Sequence, residues 1–333
     1  MTTRRAFKQL SDLVRQSPRA LVPVLGSGFV TQAVLAGAAS LPRSEPGKGA
    51  PTPVDWVALL KGVAAEFECE AAIRHIHADV PGQTTLLWDA MVAELARRAG
   101  ARSRGAHVWE ARMRRSVAKR LREDVATRDL ARPFVDSFLR LGWDDVLTFN
   151  FDSVLLPRGV VPKARLRGEA SRAALGADVR TDSGSTRVWY PHGHLSDEAS
   201  IVLGAHAYGV RIAAMQAAFD SHALRKKPRP ARELPSWVAT VLERPLLFVG
   251  LSLTREEWTI WWLLSQRARF LARREGPRPA AFVFARRPAS AEKLEAHASF
   301  QTLARACDLL GLTLLSFDDF KLGWRDLRQA VGW

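Results

Sequence analysis

The sequence predicts an α/β fold: a mostly parallel sheet covered by helices on both faces, carrying a large helical insertion. Two observations support this. Short apolar runs at Ala20–Leu25, Val146–Phe149, Arg187–Tyr190, Leu246–Val249, Ala281–Ala285 and Thr313–Phe317 have the length and continuity of buried strands. Segments with a helical apolar period separate several of them, notably Trp258–Arg274 and Ala291–Leu310. Strands alternating with helices, with small-residue turns at the strand ends, describe a Rossmann-like arrangement.

Taken in order, residues 4–17 read as an amphipathic helix with Phe7, Leu10, Leu13 and Val14 on one face. The Ala20–Leu25 strand runs into Gly26-Ser27-Gly28, and a helix is expected from Phe29. A Pro/Gly-rich loop follows at Leu41–Pro53. From Val54 to about Leu141 the pattern is helical, with Trp56, Leu59, Leu60 and Val63 in phase, and likewise Leu87, Met91 and Leu95. A smaller insertion is expected at about 196–236, with a helix-like middle and the basic loop Arg225–Pro235. The 333 residues are read as a single α/β domain bearing these two insertions.

Composition narrows the class. With 47% hydrophobic and 25% charged residues the chain can bury a sizeable core. No apolar run approaches a membrane span and the N-terminus lacks a signal-peptide core, so a cytoplasmic protein without membrane contact is expected. Cys69 and Cys307 are too far apart in sequence to suggest a disulfide framework. The net charge of +15 fits either an anion-attracting surface or a solvated basic one, and no nucleic-acid-binding motif accompanies it.

Four short motifs carry the chemistry. A glycine pair at a strand-to-helix turn, Gly26-Ser27-Gly28, lets backbone approach a pyrophosphate and puts helix N–H groups beside it. The alternative is a plain structural turn, since Thr31 stands where a third glycine would be. Thr148-Phe149-Asn150-Phe151-Asp152 ends the next strand, where open α/β sheets bind ligands. Its Asn150 amide can donate to and accept from a ribose or water, although Asx turns place the same residues there. Tyr190-Pro191-His192-Gly193-His194 presents a histidine at a third strand end, suited to general-base work. His192 and His194 could also pair on a metal, but no nearby Cys or Glu completes a zinc set, so no metal is expected. Pro245–Leu253 ends in Gly250-Leu251-Ser252 and repeats the strand, small turn and helix theme.

The ordered set GSG, TFNFD, PHGH and FVGLSL resembles the sirtuin-like family, whose pattern runs GAGxS, TxNxD, HG, GxS. The resemblance spans roughly Leu21 to Phe317, and Ile201–Tyr208 also looks like the short strand-plus-Tyr stretch following HG in many bacterial members. It implies NAD as substrate, with Gly26, Ser27 and Gly28 holding its phosphates, Phe29 and Thr148 among the residues that bind it, and Gly250 and Ser252 on its adenosine half. Asn150 and His192 would take the catalytic positions, with Asp152 fixing the Asn150 loop. Two positions depart from the pattern: Ser27 replaces the usual Ala, and Arg255 stands where an acidic residue is common, with Glu256 and Glu257 following.

Protein-deacylating members carry a four-cysteine zinc ribbon between the HG and GxS motifs. This chain has no cysteine between Cys69 and Cys307. It resembles instead the zinc-free members of bacterial antiphage systems, which implies NAD hydrolysis to nicotinamide and ADP-ribose rather than hydride transfer. The alternatives are ADP-ribosyl transfer, zinc-free deacylation, or an idle NAD- or ADP-ribose-binding scaffold in a defence complex. An NAD hydrolase needs control, so a homo-oligomer or a separate sensor or NTPase partner is expected, with nucleic acid reached only indirectly. The basic stretch holding Arg112, Arg114, Arg115, Lys119, Arg120 and Arg122 reads either as a partner surface or as a solvated helix face.

Overall fold

A computed structural model describes residues 3–39, 56–74, 83–100, 105–121, 125–164, 174–223, 236–251, 253, 257–290 and 292–333. The Leu41–Pro53 and Arg225–Pro235 loops, Arg122, Ser252, Arg255 and Glu256 therefore lie outside the described residues.

The expected α/β architecture is present. Helix α1 (Thr3–Gln16) buries Ala6, Leu10 and Val14 and leads to β1 (Val22–Leu25), which is buried throughout. Helix α2 (Ser27–Ala39) begins inside the glycine turn, two residues before the expected start at Phe29. Five helices then precede β2 (Asp145–Thr148): α3 (Trp56–Glu66), α4 (Glu70–Ile73), α5 (Gln83–Ala99), α6 (Ala106–Leu121) and α7 (Val125–Leu139). The remaining elements are β3 (Lys163–Ala164), β4 (Leu175–Thr181), β5 (Gly184–Trp189), α8 (Gly204–Ala223), α9 (Trp237–Glu243) and β6 (Leu246–Val249). They are followed by α10 (Trp258–Ala272), β7 (Ala281–Arg286), α11 (Leu294–Leu310), β8 (Thr313–Phe317) and α12 (Phe320–Val331).

The eight strands form one sheet in the order β3-β4-β5-β2-β1-β6-β7-β8. Six of them, from β5 to β8, run parallel, with β1 paired to both β2 and β6. Numbering these six along the chain gives the order 3-2-1-4-5-6, that of the doubly wound dinucleotide-binding fold, with its switch point between β1 and β6. β3 and β4 add an antiparallel edge that the apolar-run reading did not anticipate. The reason is physical: β4 alternates buried and exposed residues along Ala177, Asp178, Val179 and Arg180, as a strand with one solvated face does.

Strand alternation splits the core into two layers. Leu25, Val146, Val188, Val249 and Phe284 join α1, α2, α7 and α12 on one face. Val24, Leu147, Trp189, Phe248 and Val283 join the layer of α8 to α11 on the other. A third cluster, of Leu60, Val63, Leu87, Trp88, Met91 and Val117, sits within α3 to α6 and takes in Phe151, Ile201 and Leu203 from the loops after β2 and β5. The inserted helices thus pack against the carboxyl-end loops of the sheet. Ile201–Tyr208 contains no strand: Ile201 to Leu203 belong to no helix or strand, and α8 starts at Gly204 because Asp89 of α5 accepts the Ala205 and His206 N–H groups there.

Candidate functional site

Because β5, β2, β1 and β6 are adjacent and parallel, their four carboxyl-end turns lie along one edge of the sheet. These are the four sequence motifs. Leu147 of β2 pairs with Trp189 of β5, and Asn150 and His192 each follow their paired residue by three positions. The loops are tied together beyond the ladder: Phe149 N–H donates to Leu25 O at 2.9 Å, and Leu195 N–H donates to Phe151 O at 2.9 Å.

The glycine turns at β1 and β6 meet at backbone level. Gly28 N–H donates to Gly250 O at 3.0 Å and Phe29 N–H to Gly26 O at 3.0 Å. A Cβ on Gly26 would strike Gly250 O, and one on Gly250 (φ +70°) would strike the Phe29 nitrogen. This changes the expectation for the phosphate turn. Three N–H groups at the turn are bonded within the protein, because Gly26 N–H also donates, to Val249 O at 3.0 Å, and the glycines are required by close packing of the two turns, whatever they bind. Ser27 is the exposed residue of the turn, whereas Gly28 and Gly250 are partly exposed.

Phe29 is corrected as a ligand side chain. Its ring is buried in the core, 4.9 Å from Phe138 and 5.6 Å from Phe134, beside Trp324 and Trp333. Thr148 is buried too, and its Oγ1 accepts the Asn150 N–H at 3.2 Å, shaping the start of the Asn150 loop. Asn150 is partly exposed. Asp152 Oδ1 accepts the Val154 N–H at 3.1 Å in an Asx turn, and desolvation raises its carboxyl to about 6.

His192 is buried in the turn that follows β5. Its ring stands edge-on to Phe149 at 4.7 Å and to Tyr208 of α8 at 5.4 Å, and Nε2 lies 2.9 Å from Thr259 Oγ1 in the first turn of α10. Burial, helped by the Arg211 charge, lowers its pKa to about 3, so the imidazole is neutral at physiological pH. Its carbonyl accepts the Val202 N–H at 2.9 Å. The next residue, Gly193, has φ +95°, and a Cβ there would collide with Ser200 O. Glycine is needed for the chain to leave His192 in this direction.

His194 does not share the site with His192. Its Nε2 lies 3.0 Å from Ser153 Oγ and its Nδ1 2.7 Å from Ser196 Oγ, with burial lowering it to about 4. Both nitrogens are engaged: Nε2 ties the loop after β5 to the loop after β2, and Nδ1 shapes the turn of its own loop. Among the described residues no group of three His, Cys, Asp or Glu side chains is arranged for a metal ion. Cys69 and Cys307 are buried free thiols.

Sequence reasoning missed Thr259, Arg211 and Ser153. None lies within a recognisable motif, and Thr259 is separated from His192 by 67 residues. Only the return of the chain through α8, α9 and β6 brings α10 over the β5 loop.

The basic stretch on α6 is largely engaged. Arg112 lies over the Trp109 ring at 4.6 Å, and Arg114 pairs with Glu110 at 2.7 Å. Arg120 bonds Glu66 at 2.9 Å and Gly62 O at 3.0 Å, and Arg115 reaches Glu198 beyond β5 at 3.5 Å. The first two contacts lie within α6, whereas Arg120 staples α6 to α3 and Arg115 reaches the loop after His194. No helix among the described residues is long and apolar enough to cross a membrane.

No curated protein matches this chain. Residues 144–303, just under half of its length, match the family model described as SIR2-like domain. That segment includes the Asn150, His192 and Gly250 turns together with Thr259, and it leaves the Gly26–Gly28 turn outside. The match supports a sirtuin-like family for this chain and, with it, an NAD-related activity.

Proposed function

We propose that the protein is an NAD hydrolase that cleaves the nicotinamide–ribose bond, releasing nicotinamide and ADP-ribose. The observation that carries this reading is the placement of Asn150 and His192 at equal depth beyond paired residues of β2 and β5, next to the joined glycine turns. In a doubly wound sheet this edge receives the dinucleotide.

NAD is the substrate, and its nicotinamide leaves as a neutral molecule from a cationic ring. The carbon–nitrogen bond breaks toward an oxocarbenium-like ribose, water adds to the same carbon, and one proton is released. The protein's tasks are to orient the ribose, stabilise positive charge and admit water. Asn150 can hold the water or a ribose hydroxyl through its amide. His192, with a pKa near 3, is a poor proton abstractor but an available neutral acceptor. We therefore assign it to orienting a ribose hydroxyl. Asp152 is ionised above about pH 6 and contributes negative potential two residues from Asn150.

Hydrolysis is favoured over deacylation because the chain has no cysteine between Cys69 and Cys307 from which a zinc ribbon could be built. The cellular role we attach to the activity is depletion of NAD in antiphage defence, controlled by self-association or by a separate partner.

The test is chromatography of NAD products without an acceptor. Wild type should release nicotinamide and ADP-ribose, and Asn150→Ala and His192→Ala should each lower the rate by about 100-fold or more. Full activity in both variants would remove this mechanism. Product that appears only when an acceptor is added would indicate transfer, and tight NAD binding without nicotinamide release would indicate a scaffold.

A further inference from the structure

We propose that Thr259 is a positioning residue for His192: its Oγ1 accepts the Nε2–H and holds the imidazole in the tautomer whose Nδ1 lone pair faces substrate. This deepens the hydrolase reading and rests on it for the identity of the substrate hydroxyl.

Three observations carry it. The Nε2–Oγ1 separation is 2.9 Å between two buried side chains, and Nδ1 has no hydrogen-bond partner among the described residues. A neutral imidazole has one donor and one acceptor nitrogen, so fixing the role of Nε2 fixes that of Nδ1. The ring is also held sideways, edge-on to Phe149 and Tyr208, so it cannot turn over without moving two aromatic neighbours.

Thr259 itself is a rigid post. It is β-branched, lies in the first turn of α10 and is followed by the buried Ile260, Leu263 and Leu264. Arg267, one of the few buried cations, anchors the same helix by donating to Leu242 O at 3.2 Å and Pro279 O at 2.6 Å, as well as to Val241 O. A hydroxyl on such a helix has little freedom to follow a rotating ring. The simpler role, satisfying a buried imidazole for stability alone, predicts no effect on turnover beyond unfolding.

The experiment compares wild type, Thr259→Val and Thr259→Ser, with thermal melts confirming folding. Imidazole ¹⁵N shifts from histidine-labelled protein, assigned with His192→Gln, should show one dominant His192 tautomer, protonated at Nε2, in wild type and Thr259→Ser. Thr259→Val should lose that dominance. With NAD, Thr259→Val should lower kcat by about tenfold with KM nearly unchanged, and Thr259→Ser should restore most of the rate. An unaltered tautomer in folded Thr259→Val, or an Nδ1-protonated ring in wild type, overturns the proposal even if the protein does not cleave NAD. Absence of NAD cleavage in wild type with the tautomer shift intact would refute the hydrolase reading alone.

Discussion

The two ends of β2 each carry a buried or part-buried aspartate, and they are held by different partners. At the amino end, Asp145 accepts from Trp189 Nε1–H at 2.9 Å and lies 3.6 Å from Arg244. Arg244 in turn donates to Ala20 O at 3.0 Å and Arg19 O at 2.6 Å, while Arg187 lies over the Trp189 ring. Beyond the carboxyl end, Asp152 is bonded to backbone N–H, and the nearby imidazoles of His192 and His194 meet hydroxyls. Burial raises both carboxyls above the usual carboxylate range. The amino end is cross-linked by cations and serves the fold, whereas the carboxyl end also gathers two imidazoles lowered by burial, a condition typical of sites that bind or react.

Removing a cation from the stabilised end should have the largest effect on stability. Arg244→Met leaves the Asp145 carboxylate buried without its ion-pair partner and two carbonyls without donors, a loss of about 3–5 kcal/mol in urea unfolding. A loss below about 1 kcal/mol would mean that the amino end is no more consolidated than the carboxyl end.

Asp152→Asn probes the opposite end through pH. The folded carboxyl titrates near 6 against about 3.8 unfolded, so its contribution is full below about pH 4 and is lost as pH rises through 6. The variant should match wild type near pH 4 and be more stable at pH 7 by about 1–3 kcal/mol. The histidines act in the other direction. His192 and His194, lowered to about 3 and 4, contribute above about pH 6.5 and lose that contribution as pH falls. Equal destabilisation of Asp152→Asn at both pH values would show that its hydrogen bond, rather than its charge, dominates.

The smallest effect is expected away from the sheet. Arg115 and Glu198 form an exposed pair at 3.5 Å, and Arg115→Gln should shift stability by about 0.5 kcal/mol or less. A larger shift would make the contact between α6 and the loop after His194 a real tie between insertion and site.

Much of this molecule was legible in its sequence. Apolar runs at β1, β2, β6, β7 and β8 announced strands because both faces are buried, and the glycine turns marked where those strands end. The solvated β4 was not legible as part of the sheet, nor was the conversion of Ile201–Tyr208 from strand to helix start, which depends on the distant Asp89 cap. Phe29 shows the same limit. Its position beside a glycine turn suggests ligand contact, but the direction of its ring is set by α7 and α12.

The sequence by itself determined the alternation of strands and helices, the four motifs and the absence of a cysteine zinc ribbon, because each depends on local pattern or composition. Tertiary structure alone decided that the two glycine turns lock together, that His194 serves the loops, and that Thr259 meets His192. Those contacts join residues far apart in the chain, and a hydrogen bond at 2.9 Å between them depends on how parallel strands and packed helices return the backbone to one place.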